Sequence, residues 1–76
     1  MSRARNPVQK AKIVGSKWTA RQPRNREKHF LVLSWVLDEN EEATERVHLE
    51  AILTGNVREI HLRDLESVEK WRIGWC

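Results

Sequence analysis

The run from Phe30 to Leu37 limits this chain most: Phe30, Leu31, Val32, Leu33, Ser34, Trp35, Val36, Leu37. Its β-branched and aromatic content predicts a strand over Lys28–Leu37. That strand is apolar on both faces. Val32 and Val36 fall on one side, and Leu31, Leu33, Trp35 and Leu37 on the other. Such a strand needs cover on both sides. Ser34 interrupts the run, which is far shorter than the roughly 20 apolar residues that cross a bilayer. No contact with a membrane is expected.

The cover must come from a short chain. With 76 residues there is room for one domain and a small core. Four of the five aromatic residues are tryptophan: Trp18, Trp35, Trp71 and Trp75. Tryptophan buries more surface than any other side chain, so this set is either the staple of a minimal fold or the face of a binding site. Cys76 is the one cysteine, so no internal disulfide is expected and the chain reads as cytoplasmic. The N-terminus is basic without a following apolar stretch, which is not a signal-peptide pattern.

Along the chain, residues 1–12 lack periodicity and read as a flexible basic arm before a domain at 13–76. A first strand is expected at Ile13–Ala20, with Val14, Ser16 and Trp18 on one face. Gln22–Arg26 reads as a loop, since proline fixes φ and asparagine tolerates turns. Asp38–Glu45 is an acidic loop. Arg46–Thr54 alternates, with Val47, Leu49, Ala51 and Leu53 on one face. Gly55-Asn56 predicts a tight hairpin turn to a strand at Val57–Arg63. That turn would pair Leu53 with Arg58, Ala51 with Ile60, Leu49 with Leu62 and Glu50 with His61. A short helix is expected from an Asp64 cap to Trp71, ended by Gly74. Leu65, Val68, Trp71 and Trp75 would then close over the second face of the Phe30–Leu37 strand. If they do not, that face is an exposed patch for a protein partner or a homodimer.

Charge is uneven. Residues 1–28 hold nine Lys/Arg and one acid, a net of +8; residues 29–76 hold five bases and ten acids, a net of −5, leaving the chain at +3. The segment Ser16–Phe30 interleaves Trp18 and Phe30 with Lys17, Arg21, Arg24, Arg26, Lys28 and His29. Bases stacking on an aromatic ring, with Lys and Arg on phosphates, is how single-stranded nucleic acid is held. Lys17, Trp18, Arg21, Arg24, Arg26, Lys28 and His29 are therefore the candidate nucleic-acid-binding residues. The plainer reading makes Trp18 and Phe30 core and the charges a solvated surface.

No catalytic residues are expected. His29, His48, His61 and Cys76 match no zinc spacing, so no metal is expected. Gly15, Gly55 and Gly74 are isolated and form no phosphate loop, and no cofactor is expected. Ser16, Ser34 and Ser67 have no acid–base setting, and the Glu39–Glu45 run reads as solvated.

Ser16-Lys17-Trp18-Thr19-Ala20, Pro23, Asn25-Arg26-Glu27-Lys28-His29-Phe30 and Trp71-x-x-Gly74-Trp75 also carry a resemblance. With Leu49-Glu50-Ala51-x-Leu53, they resemble the bacterial tryptophan-rich family of small proteins of unknown function, over roughly residues 12–75. The resemblance leads one to expect a further tryptophan where this chain has Leu62. It implies a bacterial protein and supplies no catalytic residues.

The expected fold is mainly β: a small antiparallel four-stranded sheet or an SH3-like half-open barrel with a short C-terminal helical turn. The expected function is a small binding module, with RNA or single-stranded DNA as partner. The alternative is a protein-interaction module or homodimer using the Leu31, Leu33, Trp35, Leu37 face.

Overall fold

The structure is a computed structural model and describes residues 4–76. Five strands form one antiparallel sheet: β1 (Lys17–Arg24), β2 (Glu27–Leu37), β3 (Ala43–Ala51), β4 (Val57–His61) and β5 (Trp71–Ile73). A four-residue helix, α1 (Leu62–Leu65), follows β4. The strand order is β4-β3-β2-β1-β5. Two corrections follow. The sheet has five strands rather than four, and β4 and β5 are edges that do not meet, so it is not a closed barrel. The molecule is accordingly thin, 37 × 35 × 17 Å, about one sheet with cover on one side. No helix among the described residues is long and apolar enough to cross a membrane.

The β1–β2 connection is tighter than the expected Gln22–Arg26 loop. Arg24 pairs with Glu27, leaving Asn25 and Arg26 as a two-residue turn. Both have positive φ, 54° and 64°, as a type I′ turn requires. Pro23 falls beyond the last β5 pairing, Ala20 with Trp71, where its missing N–H costs no bond to that strand. The strand itself starts at Lys17, later than expected, because Val14-Gly15 is a turn; Ile13 is buried and Val14 exposed.

The hairpin from β3 to β4 differs in register. Leu49 faces Arg58, Val47 faces Ile60 and Arg46 faces His61. Gly55 closes a four-residue loop at its far end, with φ +76° and its N–H on the Ala51 carbonyl at 2.7 Å. It does not open a two-residue turn. The longer loop leaves Ile52 and Leu53 exposed and frees Leu62 to enter the core from α1. The helix begins before Asp64: the His61 ring Nδ1 accepts from the Arg63 N–H at 3.0 Å and caps it. Trp71 lies in a strand instead of at the helix end.

One irregularity decides which side Trp35 takes. Val32 pairs with Leu49, but Ser34 pairs with His48 and Trp35 with Val47. The extra residue is a β-bulge at Leu33, which turns the following side chains over. Phe30, Val32 and Trp35 therefore share the inner face, whereas simple alternation puts Trp35 opposite Val32. The inner face buries Trp18, Ala20, Phe30, Val32, Val47, Leu49, Ala51, Ile60 and Trp71 beneath Ile13, Leu62 and Leu65; Val8 and Trp35 pack at its margin. The Phe30 and Trp71 rings meet edge to face, 5.2 Å between centroids at 84°.

The expected arm at residues 1–12 lies in part outside the described residues. Of the rest, Asn6 is tied down. Its side-chain amide donates to the Leu65 and Trp71 carbonyls, both at 2.9 Å, and its N–H to the Glu66 carbonyl at 3.0 Å. The side-chain amide thus organises the loop between α1 and β5. The acidic connection from β2 to β3 is similarly ordered by Asp38, whose Oδ1 accepts from the Asn40 and Glu42 N–H groups at 2.8 and 3.0 Å. At the opposite end, the Glu27 carboxylate accepts from the Thr54 hydroxyl at 2.6 Å and the Asn56 amide at 2.8 Å, fastening one hairpin to the other.

Three outcomes follow. Trp71→Ala removes the ring that closes on Phe30 and lowers unfolding free energy by about 3–5 kcal/mol in urea titration. Asn6→Ala strands part-buried carbonyls and costs about 1–3 kcal/mol by the same measurement. The Thr54 hydroxyl, then the Asn56 amide and the Arg58 charge, hold the Glu27 carboxyl below its usual value. A lowered folded-state pKa stabilises above the unfolded value of about 4.3, and that contribution is lost as pH falls through the folded value. Glu27→Gln should therefore reduce the urea midpoint at pH 6 to 7, and the difference from wild type should shrink as pH falls below the unfolded value of about 4.3.

Candidate functional site

Residues opposite one another in an antiparallel ladder share a face, so the pairings also define the outer side of the sheet. Arg72 opposite Thr19, Thr19 opposite His29, and Lys17 opposite Leu31 bring β5, β1 and β2 side chains to one outer region. Leu31 continues to Glu50 on β3, and Glu50 to Val57 on β4. Cations thus gather toward the β5 edge of this face, and Glu50 and Glu59 lie toward the β4 edge, where Glu59 meets Arg46 at 3.4 Å.

The C-terminal residues cross this outer side. Gly74 has φ +84°, a conformation in which a side chain would be strained, and its N–H bonds to the Lys17 carbonyl at 2.7 Å. The Thr19 hydroxyl donates to the Gly74 carbonyl at 2.6 Å and accepts from the Cys76 N–H at 3.1 Å. Thr19 is buried under this crossing, which satisfies its hydroxyl twice. Trp75 then lies over the sheet with its Nε1–H donating to the Phe30 carbonyl at 2.9 Å.

That bond fixes the indole orientation and leaves Trp75 43% exposed. The Lys17 ammonium sits 4.8 Å from its ring centroid, a cation–π contact. The His29 ring is 6.0 Å away at 39°, and its Nε2 is 2.8 Å from the Cys76 carbonyl oxygen. An indole held at one edge, with a flat surface in water and cations beside it, can stack a planar group and contact an attached anion.

The sequence-predicted residues divide between two sides. Lys17 and His29 meet at Trp75. Trp18 does not join them: it is 2% exposed on the inner face, with its indole N–H on the Ser16 hydroxyl at 2.8 Å. It has no free ring surface to stack a base, because the strand phase that puts Lys17 outward puts Trp18 inward. Arg24 lines a groove on the inner side. Arg21, Arg26 and Lys28 are exposed along the β1–β2 hairpin.

The expected tryptophan clasp also separates. Trp71 and Leu65 cover the inner face, and Trp75 alone crosses the outer one. Trp75 and Arg72 were absent from the predicted set. Their signal was the alternation within Trp71-Arg72-Ile73, hidden while that segment read as helix. The proposed apolar patch also breaks up, since the bulge turns Trp35 inward and carries Leu37, two residues on, to the same side; Leu33 remains exposed. Among the described residues, no cluster of three His, Cys, Asp or Glu side chains is placed to hold a metal ion.

Comparisons with known proteins address the lineage of this arrangement. No curated protein and no solved structure matches the chain. A family model described as Tryptophan-rich protein (DUF2389) matches residues 16–76. The matched span includes the entire sheet and all four tryptophans, and begins after the N-terminal segment that carries Asn6. The match covers well over half of the sequence, and the chain belongs to the tryptophan-rich protein family DUF2389.

Proposed function

We propose that this domain is a small binding module that holds single-stranded nucleic acid, RNA or DNA, on the outer face of its sheet around Trp75. The observation that carries the reading is the exposed, hydrogen-bonded Trp75 indole with Lys17 and His29 beside it. A base stacks on the indole, and the sugar–phosphate backbone runs over Lys17 and Arg72 toward the exposed bases of the β1–β2 hairpin. Arg21, Arg26 and Lys28 supply further phosphate contacts there. Stacking on a π-face is tolerant of base identity, so the module recognises single strands with little sequence preference. The acid-bearing β4 side of the face sets a boundary that repels the backbone.

The runner-up is a protein partner or second copy seated on the apolar sheet residues around the exposed Leu33. It has fewer supports, because Trp35 and Leu37 no longer contribute to that patch.

A labelled oligonucleotide titrated at several salt concentrations separates the two. Affinity should fall steeply as salt rises, as expected when Lys and Arg displace counterions from phosphates. Trp75→Ala should weaken binding about ten-fold, within the range of one lost stacking contact. Lys17→Glu should flatten the salt dependence. No affinity at low salt, or full affinity in Trp75→Ala, overturns the reading. A concentration-dependent dimer without oligonucleotide affinity favours the apolar patch instead.

A further inference from the structure

The inner side of the sheet carries a second feature that the outer face does not use. Between β1, β4 and the loop before β5 lies a groove of about 540 Å³. Its floor is Ala20, Phe30 and Trp71, and Arg58, Arg24 and Lys70 line it with Gln22, Glu27 and Glu69. The volume falls within the roughly 300–1,000 Å³ of small-molecule sites.

Arg58 sets the chemistry. It faces inward because it pairs with Leu49, whose side chain is in the core. Its guanidinium carbon lies 5.2 Å from the Phe30 ring centroid and 5.9 Å from that of Trp71. Both rings attract the guanidinium, which carries its charge at the border of the groove. Glu27 also lines the groove, and its carboxylate is engaged by Thr54 and Asn56. Among the described residues, Arg24, Arg58 and Lys70 take part in no ion pair. Three cations from separate segments thus border one groove with two carboxylates, Glu27 and Glu69, and none of the three is in a salt bridge among the described residues.

We infer that this groove binds a mononucleotide, with its planar base on the Arg58 guanidinium and its phosphate between Arg24 and Lys70. Arginine planes stack on bases, and the exposed cations suit a phosphate monoester. Gln22 offers both a donor and acceptors to the base edge, and Glu69 accepts from an exocyclic amine. The site is independent of the outer face, on the other side of the sheet, and does not require the nucleic-acid reading to hold.

The test uses the full chain and follows Trp71, which lies next to Arg58, by fluorescence in a Trp18→Phe, Trp35→Phe, Trp75→Phe background that keeps the wild-type circular dichroism spectrum. Adenosine monophosphate should bind and change the emission. Adenosine and inorganic phosphate should each bind at least about ten-fold more weakly, since each makes half of the contacts. Arg58→Ala and Lys70→Glu should weaken the nucleotide by a similar factor while keeping the wild-type circular dichroism spectrum. Arg58→Lys should restore little, because an ammonium keeps the charge but lacks the plane. Absence of nucleotide binding, binding unchanged in Arg58→Ala, or phosphate binding as tightly as the nucleotide overturns the inference. Should Arg58→Ala fail to fold, Arg24→Glu with Lys70→Glu provides the same decision.

Discussion

Phe30 is the residue through which both sides of this sheet are held. Its ring is inside, edge-on to Trp71 and under Arg58. Its backbone pairs with Trp18 on β1 and Ala51 on β3. Its carbonyl oxygen receives the indole N–H of Trp75. One residue in the central strand therefore anchors the inner core, two ladders and the outer crossing. A domain this small, with no internal disulfide, depends on such shared use of each large side chain.

The two candidate surfaces inherit that arrangement. On the inner side, Phe30 and Trp71 form the groove floor and position Arg58, so the groove presents charge over an aromatic base. On the outer side the order is reversed: Trp75 is the accessible group, and Lys17 and His29 flank it. The same excess of positive charge in the first third of the chain is thus divided by strand phase. Lys17 and Arg24, seven positions apart in sequence, end on opposite sides of the sheet, as an odd spacing along a strand requires.

How much was legible can be judged from particular residues. The central strand was plain from its composition, and Val47, Leu49 and Ala51 alternate as their burial requires. The side taken by Trp35 was not legible, because a period of two cannot reveal an inserted residue, and the Leu33 bulge exists only through the pairing with β3. Gly55 was recognisable as a turn residue, but it serves equally at the start of a two-residue turn or the end of a four-residue one. That choice shifts the whole ladder and decides whether Arg58 meets Leu53 or Leu49. β5 is three residues long and takes its extended form from β1, which a local pattern does not contain. Of the candidate site, Lys17 and His29 could be picked out beside an aromatic residue. The identity of that aromatic, Trp75, depends on a contact across more than forty residues.

The side-chain amide of Asn6 bonds residues 59, 61 and 65 positions away. Those bonds close the longest loops in the fold, and chain entropy opposes their formation until β5 is in place. Before β5 docks on β1, Trp71 is not yet in place over Phe30. The partly formed sheet therefore passes through an interval with an uncovered aromatic centre and a free β1 edge, a condition that favours pairing with other chains. The dense positive charge of residues 1–28 offers electrostatic repulsion against like chains at that stage, so the asymmetry along the sequence has a consequence for folding as well as for the finished surface.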